Sequence, residues 1–322
     1  MRNWLGYAFT ILLVSILACV AFWMYQPLMD SPTLRLFLPI PMQFALPNNN
    51  QVATLDIWSV AKDIPNTHDT HAPGISAVSA LVFDLPTGKT LFAKDVDLRL
   101  PLASLTKIMT AVVALEHPKS DDVYAVRDTA LVGEDSMGLT AGESLSLSEL
   151  LYGLMLHSGN DAAEVLADNF PTGRSGFIQA MNQKAATLGL SNTHFTNPTG
   201  LEGDGNQYTT AKDLLVMTRY ALFHFPLFRD VVSTFDYTIP ATDTHKAFYL
   251  ENETNLLTSY PGVKGVKTGY TPEAGLCLVT YLDYGGHQII GIVLNSLSRR
   301  DDMKELLDFS LNKLDITPPK HG

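Results

Sequence analysis

The order of elements along this sequence predicts an α/β protein of the α+β type, an antiparallel sheet flanked by helices with a helical subdomain in its middle. Three observations carry that prediction. Near the start of the globular part, "ISAVSALVFDLPTGKTLFAKD" holds two strand-like runs around Pro86-Thr87-Gly88, the pattern of a hairpin. Near the end, "AGLCLVTYLDYGGHQIIGIVLNS" holds further strand-like sequence around Gly285-Gly286, a second hairpin turn. Between the two lies a long region in which apolar residues recur at helical spacing.

The helices follow in order. In "LPLASLTKIMTAVVALEHP", Leu105, Ile108, Met109, Val112 and Leu115 share one helical face, and Pro118 closes the run. "SLSELLYGLMLHSGNDAAEVLADNF" predicts a helix, a polar break at Ser158-Gly159-Asn160, and a second helix. "TTAKDLLVMTRYALFHF" predicts another. "GVKTGY" then reads as strand, with Lys267-Thr268-Gly269 opening it, and "DDMKELLDFSLNKL" as a terminal helix. The chain shows no internal repeat and no low-complexity tract.

The 322 residues are ample for a real core, with 46% hydrophobic and 17% charged residues. A net charge of -11 argues against a nucleic-acid partner, which calls for a basic patch. The two cysteines, Cys19 and Cys277, are placed too differently to be expected to pair. No Cys/His cluster has zinc spacing, and no H-E-x-x-H occurs. No metal or cofactor is therefore expected.

From Trp4 to Met24 the chain carries no charge, and aromatics sit at both ends of the run. That suits a bilayer-spanning helix of ~20 residues. A cleaved signal peptide would have a shorter apolar core and small residues at its end, whereas Phe22 and Trp23 follow Ala21 here. Residues 1–25 are thus expected to be an uncleaved single-pass anchor. Arg2 would keep the N-terminus in the cytoplasm and place the rest outside the cell membrane. Residues 26–73, rich in Pro and Asn, read as a linker. Residues 74–316 read as the folded domain and 317–322 as a tail.

Ser-x-x-Lys occurs three times, at Ser59–Lys62, Ser104–Lys107 and Ser310–Lys313. The first falls in the linker. The second lies on a predicted helix, where residues three apart share a face. A neutral Lys107 could there take the proton of the Ser104 hydroxyl and make it a nucleophile. Lysine is ordinarily protonated, with a reference pKa of ~10.4, but burial and a second nearby cation both push it down. A helix start also offers unpaired N–H groups to an oxyanion. Taken alone, the triplet describes a helix serine beside a lysine and no more.

Two further motifs change that. Ser158-Gly159-Asn160 and Lys267-Thr268-Gly269 follow in that order, completing the set S-x-x-K, S-x-N and K-T-G of penicillin-binding proteins and related β-lactamases. The order excludes the third Ser-x-x-Lys, which comes after Lys267. With "ASLTKIMTA", "LLYGLMLHSGNDAAEVLA", "FTNPTGLEGDGNQYTTAKDLL" and "GVKTGYTPEAGLCLV", the chain resembles the serine D-alanyl-D-alanine carboxypeptidases, the low-molecular-mass penicillin-binding proteins, over residues 75 to 315. The resemblance implies the penicillin-binding, β-lactamase-like transpeptidase fold.

The resemblance also implies roles. Ser104 would be the acylated nucleophile, Lys107 its base, and Ser158 a proton relay to the leaving amine. Asn160 would hold the substrate amide, and Lys267 and Thr268 the terminal carboxylate. Gly269 would leave room for a substrate strand, and the N–H groups of Ser104 and Tyr270 would form the oxyanion hole. Arg299 or Arg300 would assist at the carboxylate. The implied substrate is the peptidoglycan stem peptide, with β-lactam antibiotics as covalent inhibitors. The chain departs from common family patterns at Gly159 (as carboxypeptidases often do), at Tyr270 and at Thr199.

Other chemistries fit less well. "GRSGF" at 173–177 lacks the spacing of G-x-S-x-G. "EGDGNQ" at 202–207 lacks the twelfth-position Glu of a calcium loop and reads as a turn. A β-lactamase would need a deacylating Glu in convincing context, which is not seen between Asn160 and Lys267. A D,D-endopeptidase of the same family is the closer alternative, and a binding module without turnover is disfavoured because every motif residue is present.

Overall fold

The computed structural model describes residues 58–254 and 256–321. The expected membrane span at Trp4–Met24, Cys19 and most of the expected linker lie outside them. Among the described residues no helix is long and apolar enough to cross a membrane.

The first hairpin forms as expected from strands β1 (Ser79–Asp84) and β2 (Lys89–Lys94). A short 3₁₀ turn, Ala103–Thr106, leads into α1 (Lys107–Glu116). A two-residue pair, β3 (Tyr124–Ala125) with β4 (Ser144–Leu145), precedes the helical region. That region comprises α2 (Leu147–Leu156), α3 (Asn160–Asp168), α4 (Gly173–Thr187), α5 (Ala211–His224) and α6 (Pro226–Val232). A hairpin of β5 (Asp236–Ile239) and β6 (Phe248–Glu251) and the short α7 (Leu256–Ser259) follow. The chain then returns through β7 (Val263–Thr271), β8 (Gly275–Tyr284) and β9 (His287–Ser296), and ends in α8 (Arg299–Lys313).

The main sheet is antiparallel throughout, in the order β2-β1-β9-β8-β7. The first and last hairpins thus join through β1 and β9, and β7 becomes an edge. Gly285 and Gly286, at φ 61° and 83°, make the tight turn between β8 and β9, the conformation that two-residue hairpin loops favour. Side chains alternate across the sheet. Ala80, Val82, Leu278, Leu282 and Val293 pack on one face with Met303, Leu306, Leu307 and Leu311 of α8. Leu81, Phe83, Val279, Tyr281 and Ile292 join the core of the helical region on the other. Leu105, Ile108, Met109 and Val112, the predicted apolar face of α1, are all buried there.

Two expectations are corrected. Lys267-Thr268-Gly269 lies inside β7 and does not open it, because the strand starts at Val263 and absorbs a register shift between Val263 and Val266. Residues 58–67, read as linker, pack on the domain. Trp58 meets Phe83 edge-on at 5.6 Å and lies 4.5 Å below the Arg219 guanidinium, and the Thr67 N–H donates to Ala93 O at 2.8 Å.

Candidate active site

Ser104 sits in the 3₁₀ turn, one residue after Ala103, whose φ of 46° is left-handed. Such a backbone costs an ordinary residue ~1–2 kcal/mol and concentrates at functional positions. Residues i and i+3 eclipse in a 3₁₀ turn, so Lys107, the first residue of α1, brings Nζ to 3.1 Å from Ser104 Oγ. Lys107 is fully buried. Its Nζ also donates to Asn160 Oδ1 at 2.6 Å and to Thr199 O at 2.8 Å. Both acceptors are carbonyl oxygens, which can only accept. Two N–H bonds are thereby assigned, and the third position faces the hydroxyl. In a neutral amine that position is the lone pair, ready for the serine proton.

Burial is the main force holding the Lys107 proton affinity well below that of an ordinary lysine, and the charge of Lys267 adds to it. Lys267, also fully buried, is lowered to about 8 by burial. The Glu253 carboxylate opposes that fall and the Arg299 guanidinium assists it. The two lysines therefore differ in what they can do near neutral pH: the first is pushed towards the free amine and the second can retain its proton.

Ser158-Gly159-Asn160 forms the break between α2 and α3, as expected. Ser158 is buried with φ at 57°. Asn160 opens α3; besides meeting Lys107, its Nδ2 donates to Glu134 O at 2.6 Å and its N–H to Asp135 O at 2.7 Å. A side chain at Gly159 would start 2.9 Å from Asp161 Oδ1 and 3.1 Å from Gly153 O, so the middle position suits the glycine found there. Lys267 and Thr268 are buried on β7, and Tyr270 is 60% exposed. A Cβ on Gly269 would lie 3.2 Å from Ser104 N and 3.3 Å from Ala103 Cβ. The glycine lets the edge strand press against the turn that carries Ser104. Of the two candidate arginines, Arg299 reaches this strand, donating to Gly269 O at 2.7 Å. Arg300 lies about 100° further round the helix.

Ser104, Glu134, Asp135, Gly200, Glu202 and Tyr270 are among the residues that line one cleft of about 630 Å³. The structure thus brings the three motifs to one place. Four contributors escaped the sequence reading. The Thr199 carbonyl acts through its backbone: Asn197 Oδ1 accepts from Thr199 N, Thr199 Oγ1 and Gly200 N, which turns that carbonyl towards Lys107. Gly200, at φ 92°, approaches the Ser104 turn so closely that a Cβ would fall 1.9 Å from Ala103 O. Asp161 is buried and accepts from Ser136 Oγ and from the N–H groups of Met137, Gly138 and Leu139, fixing the loop that carries Glu134 and Asp135. Arg174 grips Glu164 of α3 with two bonds and Asp204 of the Gly-rich loop with a third. The signal for Asp161 was present, since it directly follows the second motif.

The sequence profile of the D-alanyl-D-alanine carboxypeptidase family, peptidase S11, matches residues 66–298. The chain belongs to this family of serine-type hydrolases. It is 36% identical over 251 residues to the D-alanyl-D-alanine carboxypeptidase DacF of Bacillus subtilis, a match covering 75% of this chain and 64% of that protein. It is 38% identical over 262 residues to the D-alanyl-D-alanine carboxypeptidase of Streptomyces sp. strain K15, covering 74% and 88%. The solved Streptomyces K15 DD-transpeptidase superposes with a TM-score of 0.70 at 36% identity, over 75% of this chain and 99% of that one. Penicillin-binding protein D2 of Listeria monocytogenes, in its ampicillin-bound form, gives 0.65 at 29% identity, over 77% and 100%. The carboxypeptidase family fold, an antiparallel sheet with packed helices, is therefore the fold of this chain.

Proposed function

We propose that this chain is a membrane-tethered, extracytoplasmic serine D,D-carboxypeptidase that removes the terminal D-alanine from peptidoglycan stem pentapeptides. The observation that carries the reading is the buried Lys107 amine, 3.1 Å from Ser104 Oγ and already committed by two N–H bonds to carbonyl acceptors.

In this reading the substrate lies along the free edge of β7 as an added strand. Its terminal carboxylate meets Thr268 and the charges of Lys267 and Arg299, and Asn160 holds an amide of its backbone. Ser104 Oγ passes its proton to Lys107 Nζ and bonds to the penultimate D-alanyl carbonyl carbon. The oxyanion that forms takes N–H bonds from Ser104 and Tyr270. The intermediate collapses, the C–N bond breaks, and the proton on Lys107 passes through Ser158 to the leaving nitrogen. D-Alanine departs, leaving an ester on Ser104. Water adds to that ester, releasing the shortened peptide and restoring the hydroxyl. A β-lactam follows the same first steps, but its amide is in a ring, so the leaving nitrogen stays attached and the adduct persists.

Glu202, the residue most open to reading as a β-lactamase base, accepts from Glu273 N at 2.9 Å, which supports a role in bracing the loop. An endopeptidase activity has specific support, since the chain is 33% identical over 232 residues to the D-alanyl-D-alanine endopeptidase of Pseudomonas aeruginosa. Both readings are tested by incubating the protein with monomeric pentapeptide and with cross-linked dimer. D-Alanine release from the monomer, abolished by Ser104→Ala, is expected. Cleavage of the dimer alone would replace the carboxypeptidase reading with the endopeptidase one.

A further inference from the structure

The carboxylate of Glu253 is a charged group beside the site that the reaction above leaves without a task. It follows β6 by two residues and is exposed. Its N–H donates to Leu156 O at 3.1 Å, at the end of α2 just before Ser158. Its Oε2 accepts from Thr268 Oγ1 at 3.3 Å. That hydroxyl is the one assigned above to the substrate's terminal carboxylate. Glu253 is also the foremost charge opposing the effect of burial on both Lys267 and Arg299. It therefore stands to this cluster of cations as a bound carboxylate would.

A threonine hydroxyl has one proton to donate. It can serve Glu253 or an incoming carboxylate, and two carboxylates meeting at one hydroxyl repel each other. We propose that Glu253 is a specificity-determining residue. In the empty cleft it takes the place of the substrate's terminal carboxylate, and it thereby disfavours acyl donors that end in a free carboxylate relative to those that end in an uncharged group. The inference rests on the D,D-peptidase reading. The competing carboxylate is present both in the bound substrate and in the transition state, so the penalty falls on KM and leaves kcat nearly untouched.

Glu253 accepts from Thr268, and its charge acts on Lys267, Arg299 and Lys107. Removing its charge also eases deprotonation of Lys267 and of Lys107, an effect common to both peptides, so the comparison is between the peptides and belongs near pH 6.5, below the Lys267 value of about 8. The probes are diacetyl-lysyl-D-alanyl-D-alanine and the same peptide with a C-terminal carboxamide. Release of D-alanine or D-alaninamide is followed with wild type and Glu253→Gln, which keeps the shape and an oxygen acceptor for Thr268. Glu253→Ala serves as a second variant. The KM for the free acid is expected to fall by about three- to tenfold in both variants, with kcat within about twofold and the KM for the carboxamide unchanged. An unchanged or higher KM for the free acid, or an equal change for both peptides, overturns the inference. If wild type releases D-alanine and the variants show no such shift, only this inference fails. If wild type neither releases D-alanine nor is acylated by penicillin, the functional reading fails and takes this inference with it.

Discussion

Lys107 has no solvent to stabilise its charge, and the site uses that lack. Burial and the nearby Lys267 charge lower its proton affinity, while Asn160 Oδ1 and Thr199 O keep the amine aimed at Ser104. A guanidinium cannot be neutral in a protein. Lys107→Arg is therefore expected to cut penicillin acylation by about two to four orders of magnitude, the span of general-base catalysis, measured as the second-order acylation rate on folded protein. In the proposed mechanism the pH profile follows from both lysines. As pH rises, Lys107 loses its proton and becomes a base, so the rate climbs. Lys267 is needed with its proton on to attract a carboxylate, and it loses that proton at about 8, so the rate falls above that pH. Lys267→Arg, which stays charged, is expected to remove the alkaline fall from a profile of acylation rate against pH.

At the scale of elements, the site depends on a strand edge pressed against a 3₁₀ turn. Gly269→Ala would set a methyl group 3.2 Å from Ser104 N, crowding the N–H assigned to the oxyanion. Acylation is expected to fall by about ten- to a thousandfold, in the range for losing one such donor, with the fold retained by circular dichroism. Asp161→Asn would turn an amide donor towards the N–H groups of Met137, Gly138 and Leu139 that now donate to the carboxylate. Unfolding free energy is expected to drop by about 1–3 kcal/mol, the cost of an unsatisfied buried donor, as read from denaturant midpoints.

These elements also show what can be read from a sequence. The hairpins 79–94 and 275–296 and helix α1 were legible, because their apolar period and turn glycines are local signals. Helix α4 was not singled out, since only Phe177, Met181 and Ala185 of its fifteen residues are buried. The extent of β7 was misread because Gly265, at φ 113°, interrupts the alternation. The three motifs could be found by letter, but their meeting depends on pairing between β1 and β9 across the length of the domain. The Thr199 carbonyl has no side-chain signature at all.

On the scale of the whole molecule, the packed domain begins well before the expected boundary at residue 74. Trp58, Val60 and Ile64 lie against the main core. A chain starting at residue 56 is expected to fold and to be acylated by penicillin at the full-length rate. Trp58→Ala in that chain is expected to lower stability by about 2–4 kcal/mol, somewhat less than for a fully buried tryptophan, measured by thermal or denaturant unfolding. The proposed anchor makes a separate prediction. Full-length protein should sediment with membranes and the chain from residue 56 should not. Equal behaviour of the two in fractionation would remove the anchor from the account without touching the catalytic domain.

The nucleophile itself is the claim most directly open to measurement. Folded protein incubated with penicillin, digested and analysed by mass spectrometry should carry one covalent adduct, on the peptide containing Ser104 and at that residue. Ser104→Ala, equally folded, should carry none. An adduct at another residue, or a wild-type protein that remains unlabelled, would contradict the account.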